Sequence, residues 1–386
     1  MRTLLVTGPG GSGRTTVAAA TALAAARAGH RTLVISADRA DTLGAALGAP
    51  DAQPGPTALR LAPDDRFRDD LLALQERAAS ALDLLGAERL DGEELTPLPG
   101  AEELALLRAL RDAARDDAYD TVVVDLPATP RTLATLALPE QLRRYLRRLL
   151  PPERQAARAL RPMLGRLAGV PMPAAWLYET AARRADELAA VQRVIEDPAT
   201  TVRLVAEPGP AGADAIRTAA TGLALQGLRT DLVVANRILP DASPDTWLAG
   251  LAAQQHKTLD EWESTYDHVR RVPHLGHDPR GADDLAALGL TAPAAAPAPA
   301  AWPVTEAPAD DSGHTYVWHI PLPGVTREQL GLIRRGDELV VTAGPYRRIV
   351  TLPSALRRCT VAGAGLREGE LRVRFTPDPD LWPRER

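Results

Sequence analysis

The sequence predicts an α/β fold, a doubly wound and mostly parallel sheet followed by a small all-β sandwich. From residue 1 to about 290, short β-branched runs alternate with long stretches of Ala, Leu and Arg, the pattern of a parallel sheet wrapped by helices. A glycine-rich turn at residues 8–13 separates the first of these runs from the first helical stretch. Beyond a Pro/Ala-rich segment that starts at residue 291, short runs punctuated by turns replace this alternation.

The N-terminal unit is expected to span residues 1–290. Six apolar runs fit its strands: residues 3–6, 32–35, 59–62, 121–124, 202–205 and 232–235. The helix after the first strand covers 15–28, is rich in alanine and is closed by Gly29, because glycine readily adopts the left-handed conformation that ends a helix. Further helices are predicted at residues 64–85, 101–116, 132–150, 153–168 and 174–196, with 140–196 forming a helical subdomain.

A linker and a second unit follow. Residues 291–312 are expected to be a semi-rigid linker, since their frequent prolines exclude a helix and their alanines offer little to bury. Residues 313–377 are expected to form the sandwich, with strands at 316–320, 338–342, 346–352 and 370–375, and 378–386 a tail.

Composition excludes several classes of function. The chain of 386 residues carries 45 Lys and Arg against 50 Asp and Glu, so it lacks the overall basic charge of a nucleic-acid binder. Cys359 is the only cysteine, which excludes an internal disulfide, a Cys-x-x-Cys zinc clamp and a multi-thiolate site for soft metals or arsenite. Lys257 is the only lysine, so arginine must perform most tasks of a cationic side chain.

The sequence also predicts where the protein is located. No apolar run reaches the ~18–20 residues that span a bilayer. The first residues enter a strand directly, without the basic and apolar regions of a secretory signal. A cytoplasmic protein with no integral membrane segment is therefore expected.

The main chemical motif is the loop GPGGSGRT at residues 8–15, which nearly matches the phosphate-binding pattern G-x-x-x-x-G-K-[ST]. Its glycines allow backbone N–H groups to surround phosphate oxygens, and the following helix N-terminus adds partial positive charge. Thr15 can ligate Mg²⁺, and Asp125, which follows 122–124, stands where nucleoside triphosphatases place a magnesium carboxylate. Arg14 occupies the lysine position, where a planar fork replaces a compact ammonium.

A dinucleotide site is an alternative for the same loop. Gly8, Gly10 and Gly13 also fit G-x-G-x-x-G, and Asp38 with Arg39 at the end of the second strand could meet a ribose and its 2′-phosphate. The hydroxyls of Thr15 and Thr16 and the carboxylate of Asp125 have no role in that site, which favours a nucleoside triphosphate.

Six segments in this order resemble the ArsA family, which comprises the arsenite-pump ATPases and the guided-entry ATPases for tail-anchored proteins. They are residues 8–16 (GPGGSGRTT), 35–38 (ISAD), 98–103 (LPGAEE), 125–133 (DLPATPRTL), 136–139 (LALP) and 235–240 (ANRILP). The resemblance implies an ATP-binding protein, with ATPase activity and Mg²⁺, over about the first 290 residues.

The resemblance also implies roles for individual residues. The phosphates would be held by the loop, namely Gly8, Gly10, Gly11, Ser12, Gly13, Arg14, Thr15 and Thr16. Asp38 would orient the attacking water, with Arg14 assisting catalysis at the phosphates, and Thr15 and Asp125 would hold Mg²⁺. Asn236 and Arg237 would meet the adenine.

The catalytic loops depart from the family pattern at four places. Pro9 stands where the signature lysine reaches the partner subunit's nucleotide, and Arg14 replaces the second lysine. The first switch reads DRADT at 38–42 instead of D-P-A-H-N. The second switch reads DLPATP at 125–130 instead of D-T-A-P-T-G, so Pro130 replaces its glycine. Two alternatives stay open: a working ATPase, or a binding-only protein that serves as a scaffold or as half of a heterodimer. The chain is expected to form a homodimer or a heterodimer with an ArsA-like relative.

Two further regions have two interpretations each. Residues 313–377 resemble the α-crystallin-like sandwich of small heat-shock proteins, which either docks on the ATPase unit or holds a client. Residues 141–170 carry eight arginines interleaved with leucines, which indicates either a solvated helical face or a nucleotide-gated site for a hydrophobic protein client.

Overall fold

The computed structural model describes residues 1–38, 40–48, 55–77, 88–150, 173–240, 244–294, 302–310 and 313–378, together with positions 79, 82, 83 and 86. Arg39, the predicted helix at 153–168, much of the arginine-rich stretch 141–170 and nearly all of the tail lie outside these ranges. Within them, no helix combines the length and the apolar character needed to cross a membrane.

Seven strands form one parallel sheet in the order β3-β2-β4-β1-β5-β6-β7. They are β1 (Arg2–Thr7), β2 (Thr32–Ser36), β3 (Thr57–Arg60), β4 (Thr121–Asp125), β5 (Thr200–Ala206), β6 (Thr230–Ile238) and β7 (Val269–Pro273). The predicted doubly wound fold is confirmed. β7 was not predicted, because this edge strand reads VRRVP and buries only Val272.

Helices cover both faces of the sheet. One face carries α1 (Arg14–Arg27), α2 (Thr42–Leu47) and α9 (Gly281–Ala287). The other carries α4 (Ala101–Arg115), α5 (Thr129–Leu149), α6 (Pro173–Glu196), α7 (Pro210–Leu225) and α8 (Thr246–Thr265), with α3 (Pro63–Arg77) packed outside α4. Successive side chains of a strand point to opposite faces of the sheet. Leu4 therefore belongs to the core on the α1 face, and Leu5 to the core on the opposite face.

The C-terminal unit is a sandwich of two antiparallel sheets, β10-β11-β12 and β13-β14-β9-β8. Its strands are β8 (Val304–Asp310), β9 (Gly313–Pro321), β10 (Leu330–Arg335), β11 (Glu338–Ala343), β12 (Tyr346–Thr351), β13 (Cys359–Arg367) and β14 (Glu370–Pro377). Side chains from both sheets, among them Trp318, Leu339 and Phe375, fill the core.

The expectation of a linker over 291–312 is corrected at its end, where the structure places the strand β8 (Val304–Asp310). This strand pairs with β9, and the carbonyl of Pro303 accepts a hydrogen bond from the His319 amide at 3.0 Å. Prolines exclude a helix, but an edge strand tolerates them because one side of its backbone needs no partner.

The sandwich packs on α7. Leu225, the last residue of that helix, is fully buried within the sandwich core. The Thr221 hydroxyl donates to the Pro323 carbonyl at 2.5 Å, and the Arg348 guanidinium donates to the Leu225 carbonyl at 3.0 Å. A Cβ at Gly222 would lie 2.4 Å from Leu133 and 2.7 Å from Tyr346, so glycine is what allows the two units to approach here.

Candidate nucleotide-binding site

The site lies where the carboxyl ends of three neighbouring strands meet. β4 is hydrogen-bonded to both β1 and β2, and its last residue, Asp125, is in register with Val6 and Ser36. Loop 8–13 follows β1 and Asp38 follows β2, so strand order alone brings these residues together. Ligands of open α/β sheets bind at this edge.

Two glycines give the loop its shape. A Cβ on Gly8 would lie 1.9 Å from the Val205 carbonyl oxygen of β5, so the loop can begin this close to the sheet only with glycine. Gly13 precedes α1 with φ of 87°, a left-handed conformation that other residues rarely adopt, and a Cβ there would lie 2.3 Å from the Asn236 amide nitrogen.

Asp125 is the centre of the polar cluster. Its Oδ2 accepts hydrogen bonds from the Thr15 hydroxyl at 2.8 Å and the Ser36 hydroxyl at 3.0 Å. The residue is 7% exposed, and this burial raises its pKa, while the two hydroxyls oppose the rise. Three oxygen-bearing side chains thus converge on one point beside the loop. Ser36 was not predicted from the sequence, because a serine at a strand end has no distinguishing motif.

Asp38 is held in one orientation by its own loop. Its Oδ2 accepts from the Thr42 hydroxyl at 2.6 Å and its Oδ1 from the Ala40 amide at 3.0 Å. These hydrogen bonds lower its pKa, so the carboxylate is ionised at neutral pH.

Arg14 points toward the second switch. Its guanidinium donates to the Leu126 carbonyl at 3.1 Å and lines the same cavity as Asp38 and Asp125. Burial lowers the pKa of Arg14, and the two carboxylates counteract that effect. Thr16 is half-buried in the first turn of α1.

Asn236 and Arg237, the two residues expected at the adenine, contact the backbone of the loop. The Asn236 amide donates to the Ser12 carbonyl at 2.8 Å and is buried. Arg237 has a left-handed φ of 57°, and its guanidinium donates to the Gly11 carbonyl at 3.1 Å while it pairs with Glu207. Both residues fix the loop backbone in this structure.

A cavity of about 350 Å³ opens in front of the loop. Its far wall is formed by Glu102 and Glu103 at the start of α4 and by Arg131 in the first turn of α5. Arg131 pairs with Glu102 at 2.5 Å and with Glu103 at 2.8 Å. Sequence reasoning assigned these three residues no role, although all three lie within segments that resemble the family.

The residues present fit a phosphate group and Mg²⁺. Ser12 Oγ is buried within the loop and has no hydrogen-bond partner among the residues that the structure describes. Thr15 and Asp125 supply the oxygen ligands that Mg²⁺ prefers. In the part of the chain described above, no three His, Cys, Asp or Glu side chains cluster closely enough to hold a metal ion. Mg²⁺ at such sites usually combines one or two protein ligands with substrate phosphates and water.

Comparisons with known proteins agree with this geometry. Residues 1–291 match the family described as anion-transporting ATPase, and residues 313–375 match the HSP20-like domain found in ArsA. An uncharacterized protein of Streptomyces coelicolor is 68% identical over the full length of both chains. A Mycobacterium tuberculosis protein is 33% identical, covering 99% of this chain and 97% of its own.

A third relative, from Aquifex aeolicus, is 25% identical, covers 97% of this chain and 99% of its own, and is named provisionally as an arsenical pump-driving ATPase. The site at the ends of β1, β2 and β4 and the two matched segments lead to the same assignment. This chain belongs to the ArsA family of anion-transporting ATPases and carries that family's HSP20-like domain at its C-terminal end.

Proposed function

We propose that this chain binds Mg·ATP at the loop of residues 8–15 and hydrolyses its terminal phosphate bond. The observation that carries this is the convergence of the Thr15 and Ser36 hydroxyls on one oxygen of Asp125, beside a phosphate-binding loop. The loop amides and the N-terminus of α1 would bind the phosphates. Mg²⁺, held by Thr15 and Asp125, would neutralise phosphate charge when bound.

Two residues would act on the reacting phosphate. Asp38 is kept ionised and its orientation is fixed, so its carboxylate can accept a hydrogen bond from the attacking water. Arg14 lies in the same cavity and can donate to phosphate oxygens in place of lysine, once its hydrogen bond to Leu126 opens.

Assembly as a dimer belongs to the same proposal. Pro9 can neither donate a hydrogen bond nor carry charge, so a second copy of this chain brings no lysine from that position to its partner's nucleotide. This favours a second candidate function, a binding-only subunit that pairs with an ArsA-like relative. Arsenite is not proposed as a ligand, because Cys359 is the only thiol and is buried in the sandwich.

We further propose that α5 couples nucleotide state to a partner. At its start, the Thr129 amide donates to the Gly8 carbonyl at 3.1 Å and the Thr132 hydroxyl to the Pro127 carbonyl at 2.7 Å. Near its other end, Tyr145 and Leu149 are exposed among arginines. A shift of the second switch would therefore move a helix that can present apolar side chains to a hydrophobic protein client.

Calorimetric titration of Mg·ATP into the full chain, with phosphate release measured in parallel, tests the proposal. Saturable binding followed by continuing heat and phosphate release is expected. Binding without turnover would favour the scaffold alternative, and the Arg14→Lys variant then shows whether the arginine prevents catalysis. Absence of saturable binding, at two temperatures, would contradict the proposal for this chain alone.

A further inference from the structure

The cavity in front of the loop has an unfavourable charge for the ligand it would receive. The described residues that line it include four carboxylates, Asp38, Glu102, Glu103 and Asp125, but two guanidinium groups, Arg14 and Arg131. A nucleoside triphosphate is itself strongly anionic, so its terminal phosphate needs every cation within reach.

Arg131 is bound to carboxylates in this structure. Its Nη2 pairs with Glu102 and its Nε with Glu103, which joins the first turn of α5 to the first turn of α4 across the cavity wall. The side chain of Arg131 is 51% exposed. Its partners Glu102 and Glu103 are less exposed, at 26% and 19%, but the guanidinium itself stays accessible to water and can exchange these carboxylates for another anion.

The arrangement on the glutamate side is incomplete. Glu103 Oε2 is buried without a hydrogen-bond partner among the described residues, so Glu103 meets Arg131 through one oxygen only. A phosphate offers the guanidinium two oxygens in the geometry that its planar fork prefers. The exchange therefore replaces contacts to two separate carboxylates by a two-pronged contact to one anion.

We propose that Arg131 contacts the terminal phosphate of the bound nucleotide, and that Arg131 pairs with Glu102 and Glu103 when that phosphate is absent. Arg131 would then distinguish a triphosphate from a diphosphate. It would also supply, within the same chain, a cation at a site where Pro9 has replaced a lysine. This inference rests on the proposed function, since it requires ATP in the cavity.

Opposite effects of two variants test the inference. Arg131→Ala removes the proposed phosphate contact and should weaken ATP binding about tenfold, with ADP binding changed less than about twofold. The double variant Glu102→Gln and Glu103→Gln keeps side-chain size but releases Arg131, and should strengthen ATP binding several-fold without affecting ADP. Arg131→Lys keeps the charge but loses the fork, and should give an intermediate ATP affinity.

Binding is measured by calorimetry with ATP and with ADP, after unfolding curves show that each variant is folded. Arg271→Ala is the matched control, because the Arg271 side chain is similarly exposed, at 47%, pairs with a glutamate (Glu263) and does not line the cavity. If Arg131 only braces α5 against α4, Arg131→Ala and the double glutamine variant would both weaken ATP binding. Alternatively, each variant would change ATP binding and ADP binding by the same factor. Either result overturns the inference while ATP binding by the unmodified chain stands, whereas an unmodified chain that binds neither nucleotide overturns the proposed function as well.

Discussion

Arg144 of α5 and Glu338 of β11 form a two-pronged ion pair between the ATPase unit and the HSP20-like sandwich, with Nε–Oε1 and Nη2–Oε2 distances of 3.0 and 2.8 Å. Arg148 donates to the same carboxylate at 2.8 Å, and Arg348 of β12 pairs with Glu140 at 3.1 Å. Since α5 begins beside the second switch, one helix contacts the nucleotide loop at one end and the sandwich near the other. This geometry favours docking of the sandwich over the alternative of a free client-holding domain.

Glu338→Gln should destabilise the docked sandwich. The substitution removes the charge that Arg144 and Arg148 share, in a place where the side chains of Arg144 and Glu338 are 16% and 21% exposed. We expect a loss of about 1–2 kcal/mol in the free energy of unfolding, measured with urea. The exchanged pair Arg144→Glu with Glu338→Arg should recover part of the loss. Equal stability of Glu338→Gln and the unmodified chain would show that the pair contributes nothing to docking.

Asp231→Ala should cost far more stability. Asp231 Oδ2 lies 2.8 Å from Arg203 Nη2, and their side chains are 8% and 3% exposed, so the substitution leaves a buried guanidinium without its counter-charge. A loss of about 3–5 kcal/mol in unfolding free energy is expected. Because Arg203 Nε and Asp231 Oδ1 have no hydrogen-bond partner in the described part of the chain, replacing Arg203 by Met and Asp231 by Leu should restore most of the lost stability. A double variant as unstable as the single one would contradict this account.

Asp120 should stabilise the fold fully at neutral pH and lose this contribution in acid. Hydrogen bonds and the charge of Arg31 lower its pKa from 3.8 to about 2. A carboxylate with a lowered folded-state pKa stabilises the fold above the unfolded-state value, and loses that contribution as pH falls toward about 2. Asp120→Asn should therefore be less stable than the unmodified chain at pH 5, and the difference should shrink between pH 4 and 2. A difference that is constant with pH in acid urea titrations would exclude this linkage.

Asp125→Asn should separate magnesium-dependent from magnesium-independent binding. The amide keeps the size of the side chain but removes the negative charge beside Thr15, so the affinity for Mg·ATP should fall at least about tenfold. Binding of ATP in the presence of a chelator should change less than about twofold. Burial raises the pKa of Asp125, so in the unmodified chain the magnesium-dependent part should weaken on acidification at a higher pH than for an ordinary aspartate.

The strands that bear the site were predictable because they are buried on both faces. Runs such as 121–124 contain only β-branched or apolar residues, and their predicted limits differ from those of β4 by a single residue. The predicted strand at 59–62 begins two residues after β3 (Thr57–Arg60), because the apolar run continues beyond the end of the strand. α7 and α8 were not predicted, although both pack on the sheet. Alternation and apolar runs identify buried strands more readily than edge strands, whose side chains meet water.

Local sequence features already indicate the class of chemistry. A glycine loop between strand and helix, hydroxyls at positions 15 and 16, and carboxylates at the ends of later strands are local features that few folds use in another way. Which side chains come into contact is visible only in the folded chain. Ser36 joins Thr15 at Asp125, Arg131 spans the cavity wall to Glu102 and Glu103, and Glu338 reaches α5 from about 190 residues away. Such contacts depend on strand order and helix packing, which local sequence patterns do not encode.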